Sequence, residues 1–98
     1  MQRRTLIAIA ALAAAVGAPA LAQSDIKIAH IYSKTGPLEA YGKQTQAGLM
    51  MGLNYATGGT MAVNGRKITV IEKDDQGKPD LGKSLLAAAY SDDKADLA

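Results

Sequence analysis

The stretch Ile26-Lys27-Ile28-Ala29-His30-Ile31-Tyr32 constrains this chain more than any other. Side chains alternate across a strand, so Ile26, Ile28 and His30 share one face while Ala29 and Ile31 share the other. Both faces are mostly apolar, and such a strand needs cover on both sides, as in parallel sheets flanked by helices. Ser33-Lys34-Thr35-Gly36-Pro37 breaks the run, and Leu38, Tyr41, Thr45, Gly48, Leu49, Gly52, Leu53 and Ala56 then follow helical spacing. That spacing predicts a helix over 38–57, with Lys43, Gln46 and Asn54 on its other faces. Gly48, Gly52 and Ala56 leave one ridge nearly bare. Gly costs about 1 kcal/mol against Ala in a helix, so close approach of that ridge to the sheet is expected as compensation.

The same unit then recurs. Gly58-Gly59 stops the helix, Asn64-Gly65 marks a turn, and Lys67 to Lys73 reads as the second strand. Asp74-Asp75-Gln76-Gly77 is a polar loop, and Pro79 suits the first position of a helix over 79–90, with Leu81, Leu85, Ala88 and Ala89 on one face. A third strand is expected to begin near Ala95. The order βαβα(β) predicts an α/β fold: an open parallel sheet, right-handed crossovers and flanking helices. In such sheets ligands bind beyond the carboxyl ends of the strands. The loop at Ser33, Thr35 and Gly36 and the helix start around Tyr41 are therefore expected to face a ligand.

The first 22 residues are not part of this fold. Arg3 and Arg4 form a positive start, Leu6 to Ala18 is apolar, and Ala20 and Ala22 are small residues at the −3 and −1 positions. These are the three parts of a secretory signal, with cleavage expected after Ala22. The apolar run is short of the roughly 20 residues needed to span a bilayer. Arg3-Arg4 leaves the Sec and twin-arginine routes both open. Removing this segment from the 98 residues leaves 76, with nine basic and nine acidic side chains, so no excess of positive charge remains to favour nucleic acid. No cysteine is present, which excludes disulfides and thiolate chemistry. Seventy-six residues are few for a self-sufficient core, and Ala95-Asp96-Leu97-Ala98 reads as an opening strand. The chain thus reads as the first part of a larger protein.

Gly77-Lys78-Pro79-Asp80-Leu81-Gly82-Lys83-Ser84 matches the phosphate-loop pattern and lies between a strand and a helix, as that motif demands. Three features oppose a nucleotide there. Polar residues 72–76 separate the loop from the apolar strand, Asp74, Asp75 and Asp80 bring negative charge, and Pro79 places Gly82-Lys83-Ser84 inside a helix. An exported protein also meets few nucleotide triphosphates. The three aspartates miss the spacing of a calcium loop and read as a solvated loop. His30 is the one histidine, so neither a histidine metal cluster nor a Ser-His-Asp triad is available, and no cofactor is called for.

Ile26 to Ala29, Thr35-Gly36-Pro37, Tyr41-Gly42, Gly58-Gly59, Gly65-Arg66-Lys67-Ile68, Asp74 to Gly77 and Pro79 stand in an order that resembles the start of the periplasmic branched-chain amino acid-binding proteins. The resemblance spans residues 24–98. It implies a type I two-lobed receptor of an ABC transporter, not an enzyme, of which residues 23–98 form the first part of the N-terminal lobe. It also implies periplasmic location, hinge closure on a small ligand such as a branched-chain amino acid or a related amide or aromatic acid, docking to an inner-membrane permease, and a monomer when full length. At the matching position the family packs an aromatic ring against the ligand, which here is Tyr41, with Ser33, Thr35 and Gly36 lining the same cleft. Lys78 departs from the acidic or small residue usual before the proline. The Gly/Ser-rich loop that holds the ligand's carboxylate would begin just past Ala98. A ligand-sensing domain of the same fold is the alternative among binding proteins, and a phosphate-loop protein is the alternative from another class. Residues 23–98 alone are expected to fold only in part or to dissolve poorly, because so few parallel strands leave apolar faces uncovered. Circular dichroism on heating checks this, and a sharp cooperative transition would contradict it.

Overall fold

The computed structural model describes residues 24–98, so the secretory segment and its cleavage after Ala22 lie outside the described residues. The elements are β1 (Ile26–Tyr32), α1 (Glu39–Ala56), β2 (Ala62–Val63), β3 (Arg66–Asp74) and α2 (Pro79–Ser91). β1 and β3 pair in parallel, in register from Ile26↔Ile68 to Tyr32↔Asp74. β2, which the sequence pattern did not disclose, pairs antiparallel with the start of β3. Asn64 and Gly65 both take positive φ between them, the backbone of a two-residue hairpin loop. Beyond α2 the chain returns to the opposite edge of β1. The Ala29 N–H donates to the Leu97 carbonyl and the Asp96 N–H to that of Lys27, and Ile28 bridges Leu97 in parallel. Where the pattern put a third strand, the chain makes a single parallel bridge at Leu97. β1 is paired on both edges, and the strand order reverses around it, which is where open α/β sheets form their crevice.

The helices cover the two faces of β1. His30 Nδ1 hydrogen-bonds Gln46 Oε1 of α1, whereas Lys27, one residue out of phase on the strand, donates through Nζ to the carbonyl of Asp93 just after α2. Lys73 of β3 makes an ion pair with Asp93 at 2.6 Å on that second side. The buried apolar residues among those described are few: Ala29, Tyr32, Ile68 and Ala89.

The face of α1 that meets the sheet is not the one the apolar spacing indicated. Gly42 is buried, and Gln46, Leu49, Met50 and Leu53 are half-buried, while Tyr41, Thr45, Gly48, Gly52 and Ala56 are exposed. A Cβ at Gly48 or Gly52 would meet nothing within 4 Å. The expected close approach of that ridge is therefore absent. The close approach occurs at Gly42 instead, where a Cβ would lie 1.8 Å from the Ser33 carbonyl oxygen and 3.2 Å from the Tyr32 ring. Backbone against backbone sets the rotation of the helix, and the His30–Gln46 bond keeps it. Gly42→Ala is expected to push α1 off β1 and destabilise their packing by about 1–3 kcal/mol, as overpacking does. Faster amide exchange along α1 is the measurement.

Candidate ligand-binding site at the strand ends

The carboxyl ends of β1 and β3 lie level, because Tyr32 and Asp74 are register partners. Two carboxylates at the end of β3 hold the loop that follows β1. Asp74 Oδ1 accepts the backbone N–H groups of Lys34 (3.0 Å), Thr35 (3.1 Å) and Gln76 (3.0 Å), and Asp74 Oδ2 accepts the Thr35 hydroxyl at 2.6 Å. Asp75 Oδ1 accepts the Ser33 hydroxyl at 2.7 Å and the Gly77 N–H at 2.8 Å. The Asp75 N–H donates to the Tyr32 carbonyl at 2.9 Å. Gly36 has φ +93, and a Cβ there would stand 2.6 Å from the Gln76 carbonyl oxygen, so the two loops touch backbone to backbone. Asp74 and Asp75 lie in a polar loop at the surface, as their composition indicated, and their carboxylates also bind the neighbouring loop. Each accepts the N–H two residues ahead, the Asx turn for which a short carboxylate after a strand is suited. That local signal was present in Asp-Asp-Gln-Gly; the partners across the loop were not.

Of the residues expected at the cleft, Ser33 and Thr35 have their hydroxyls committed to these aspartates, and Gly36 seats the loop against Gln76. Tyr41 stands apart. It lies in the first turn of α1 with its side chain 71% exposed, on the helix end nearest the clamped loop. Glu39, paired with Lys43, occupies the same turn, where a carboxylate favours the helix dipole. Beneath them His30 stacks on Tyr32 with ring centroids 4.4 Å apart, and the Tyr32 hydroxyl donates to Glu72. Burial, reinforced by that hydrogen bond to a carboxylate, pushes the Tyr32 phenol up to about 12. His30 thus has the structural role its lone position indicated.

The phosphate-loop pattern is not a phosphate loop in space. Gly82, Lys83 and Ser84 lie within α2, the Gly82 N–H donates to the Lys78 carbonyl, and the Ser84 hydroxyl bonds the Asp80 carbonyl. The Asp75 carboxylate sits over Gly82, where an anion would have to approach. Lys78 caps α2 without a side-chain hydrogen bond; the Asp75 carbonyl accepts its N–H instead. A shallow groove between Met51, Asn54, Tyr55, Gly58 and Gly59 lies at the far end of α1, away from the strand ends.

The Thr35 hydroxyl, aided by the N–H groups of Gln76, Thr35 and Lys34, holds the Asp74 carboxyl below the usual aspartate value of 3.8, against an opposing desolvation effect. A depressed folded-state pKa means that the clamp adds stability above 3.8 and loses it as pH falls through the lower, folded value. Amide exchange at Lys34, Thr35 and Gln76, corrected for intrinsic rates, is expected to stay slow down to about the unperturbed aspartate pKa and to rise only below it.

The model of a family described as periplasmic binding protein matches residues 25–98. Among solved structures, an ABC transporter protein from Rhodopseudomonas palustris is 72% identical over 74% of this chain, with a TM-score of 0.72. An ABC-type branched-chain amino acid transporter protein from Rhodopseudomonas palustris CGA009 is 67% identical over 76% of the chain, also with a TM-score of 0.72. The branched-chain amino acid transporter substrate binding protein of Streptococcus pneumoniae, solved with isoleucine, is 24% identical over 72% of the chain at a TM-score of 0.65, a likeness of fold. This chain covers 21% of each of the first two proteins and 20% of the third. No curated protein matches it. Binding proteins of this kind hold a solute and catalyse no reaction. The parallel β1–β3 pair, the helix on each face and the family match over nearly every described residue agree: the chain belongs to the periplasmic binding protein family.

Proposed function

We propose that this chain is the first part of the N-terminal lobe of an exported solute receptor, which delivers a small ligand to an ABC permease in the inner membrane. The ligand class is a branched-chain amino acid or a related amide or aromatic acid. The whole protein works in the periplasm as a monomer and closes its two lobes on the solute by hinge motion. The observation that supports this most is the 72% identity to an ABC transporter protein over three quarters of the chain, joined to a tyrosine left exposed at the strand-end rim.

Tyr41 is the residue of this chain that meets the solute. Its ring offers a flat apolar body and a polar tip, and ordering it sacrifices little rotamer freedom. Ser33, Thr35 and Gly36 shape the wall beside it, with the Ser33 and Thr35 side chains turned to the neighbouring loop. Calorimetric titration of the whole gene product with leucine, isoleucine, valine and their amides tests the reading. One of these is expected to bind, and Tyr41→Ala is expected to weaken that binding by about tenfold, the loss of one aromatic contact. Unchanged affinity in the variant would remove Tyr41 from the site, and no binding by any of the set would remove the ligand class.

A further inference from the structure

We propose that Asp74 and Asp75 are positioning residues for solute capture, acting through the β1–α1 loop and not on the solute itself. The inference rests on the solute-binding reading above, but its geometry stands without it. Asp74 gathers three N–H groups and one hydroxyl on a single carboxylate, and three of those four donors belong to Lys34 and Thr35, on the other loop. Asp75 takes the Ser33 hydroxyl and also turns the chain into α2 through the Gly77 N–H. Between the carboxylates the loop is tied at Ser33, Lys34 and Thr35, and Gly36 rests on the Gln76 carbonyl. The Glu39 N–H then donates to the Gly36 carbonyl, and the Gly42 N–H to that of Leu38, so the first turn of α1, with Tyr41 in it, begins from a fixed point. The ring is thereby presented to the cleft before any solute arrives, which removes an ordering cost from binding. The Ser33 and Thr35 hydroxyls serve the scaffold.

Three variants of the whole gene product separate this role from a general loss of fold. Asp74→Ala removes the acceptor. Asp74→Asn keeps Oδ1 for the three N–H groups and lets the Thr35 hydroxyl accept from the new amide. Thr35→Ala removes one bond alone and serves if Asp74→Ala does not fold. Without solute, amide exchange at Thr35, whose N–H has Asp74 as its acceptor, is expected to rise about tenfold or more in Asp74→Ala, to stay within about twofold in Asp74→Asn, and to rise a few-fold in Thr35→Ala, in keeping with hydrogen bonds to a charged group. Isoleucine, as the probe, is expected to follow the same ranking, with affinity about tenfold weaker in Asp74→Ala and nearly unchanged in Asp74→Asn. Exchange that does not change in Asp74→Ala overturns the clamp. Exchange that rises while isoleucine affinity stays constant overturns the positioning role, as does an Asp74→Asn protein that keeps its exchange protection and loses isoleucine. A wild-type protein that takes no isoleucine rejects the solute reading for that ligand, and the clamp is then decided by exchange alone.

Discussion

The parallel register of β1 and β3 is the constraint on which the rest depends. Tyr32 faces Asp74 across the pair, so the two strands end at the same level and their loops emerge side by side. A slip of one residue would turn every side chain of β3 to the other face. Lys73 would lose Asp93, Glu72 would lose the Tyr32 hydroxyl, and the carboxylates of Asp74 and Asp75 would no longer reach the loop after β1. The apolar centres of the strands hold this register: Ile26, Ile28 and Ala29 stand opposite Ile68, Val70 and Ile71. Core and site are therefore a single arrangement, with apolar pairing at the middle of the strands and polar pairing at their ends.

That arrangement is tied together by directed contacts more than by bulk. The buried apolar set among the described residues is four side chains, two of them alanines, while Met51 and Tyr55 on the outer face of α1 are 72% and 91% exposed. With so little apolar area buried, the helices are located by specific contacts: the backbone approach at Gly42, the His30–Gln46 bond and the Lys73–Asp93 pair. Exposed ion pairs add little to stability, so Glu39–Lys43 on the surface of α1 locates nothing. The carboxylates after β3 differ, because each accepts backbone N–H groups of the loops, the Lys34 N–H being shared with the Tyr32 carbonyl. The result is a firm rim on a lightly packed body, and a rim residue such as Tyr41 owes its position to hydrogen bonds made by residues more than thirty positions away.

Much of the fold was legible because period and punctuation agreed. β1 is bounded as its apolar run indicated, α2 begins at Pro79 as its backbone geometry requires, and Gly58-Gly59 ends α1 with positive φ. An extended segment after α2 was also legible, though not its pairing with β1. The seated face of α1 was not. Residue type favoured Tyr41 and the Gly48–Gly52 ridge, but helix rotation is decided where backbones come closest, and Gly42 carries no side chain to announce it. Gln46 looked like a solvent residue until His30 was placed beneath it. The bonds of Ser33 and Thr35 to Asp75 and Asp74 left no trace in the sequence either.

The sequence by itself determined the alternation of strands and helices, the punctuation between them, and the loop that ends β1. Those are local matters, set by side-chain periodicity, proline geometry and the turn chemistry of glycine and asparagine. Tertiary structure alone decided which face of α1 is seated, which hydroxyls remain free, and why a phosphate-loop pattern is only the start of a helix. Each of these depends on a partner distant in the chain, and hydrogen bonds and close backbone contacts between distant residues leave no periodic trace in either partner.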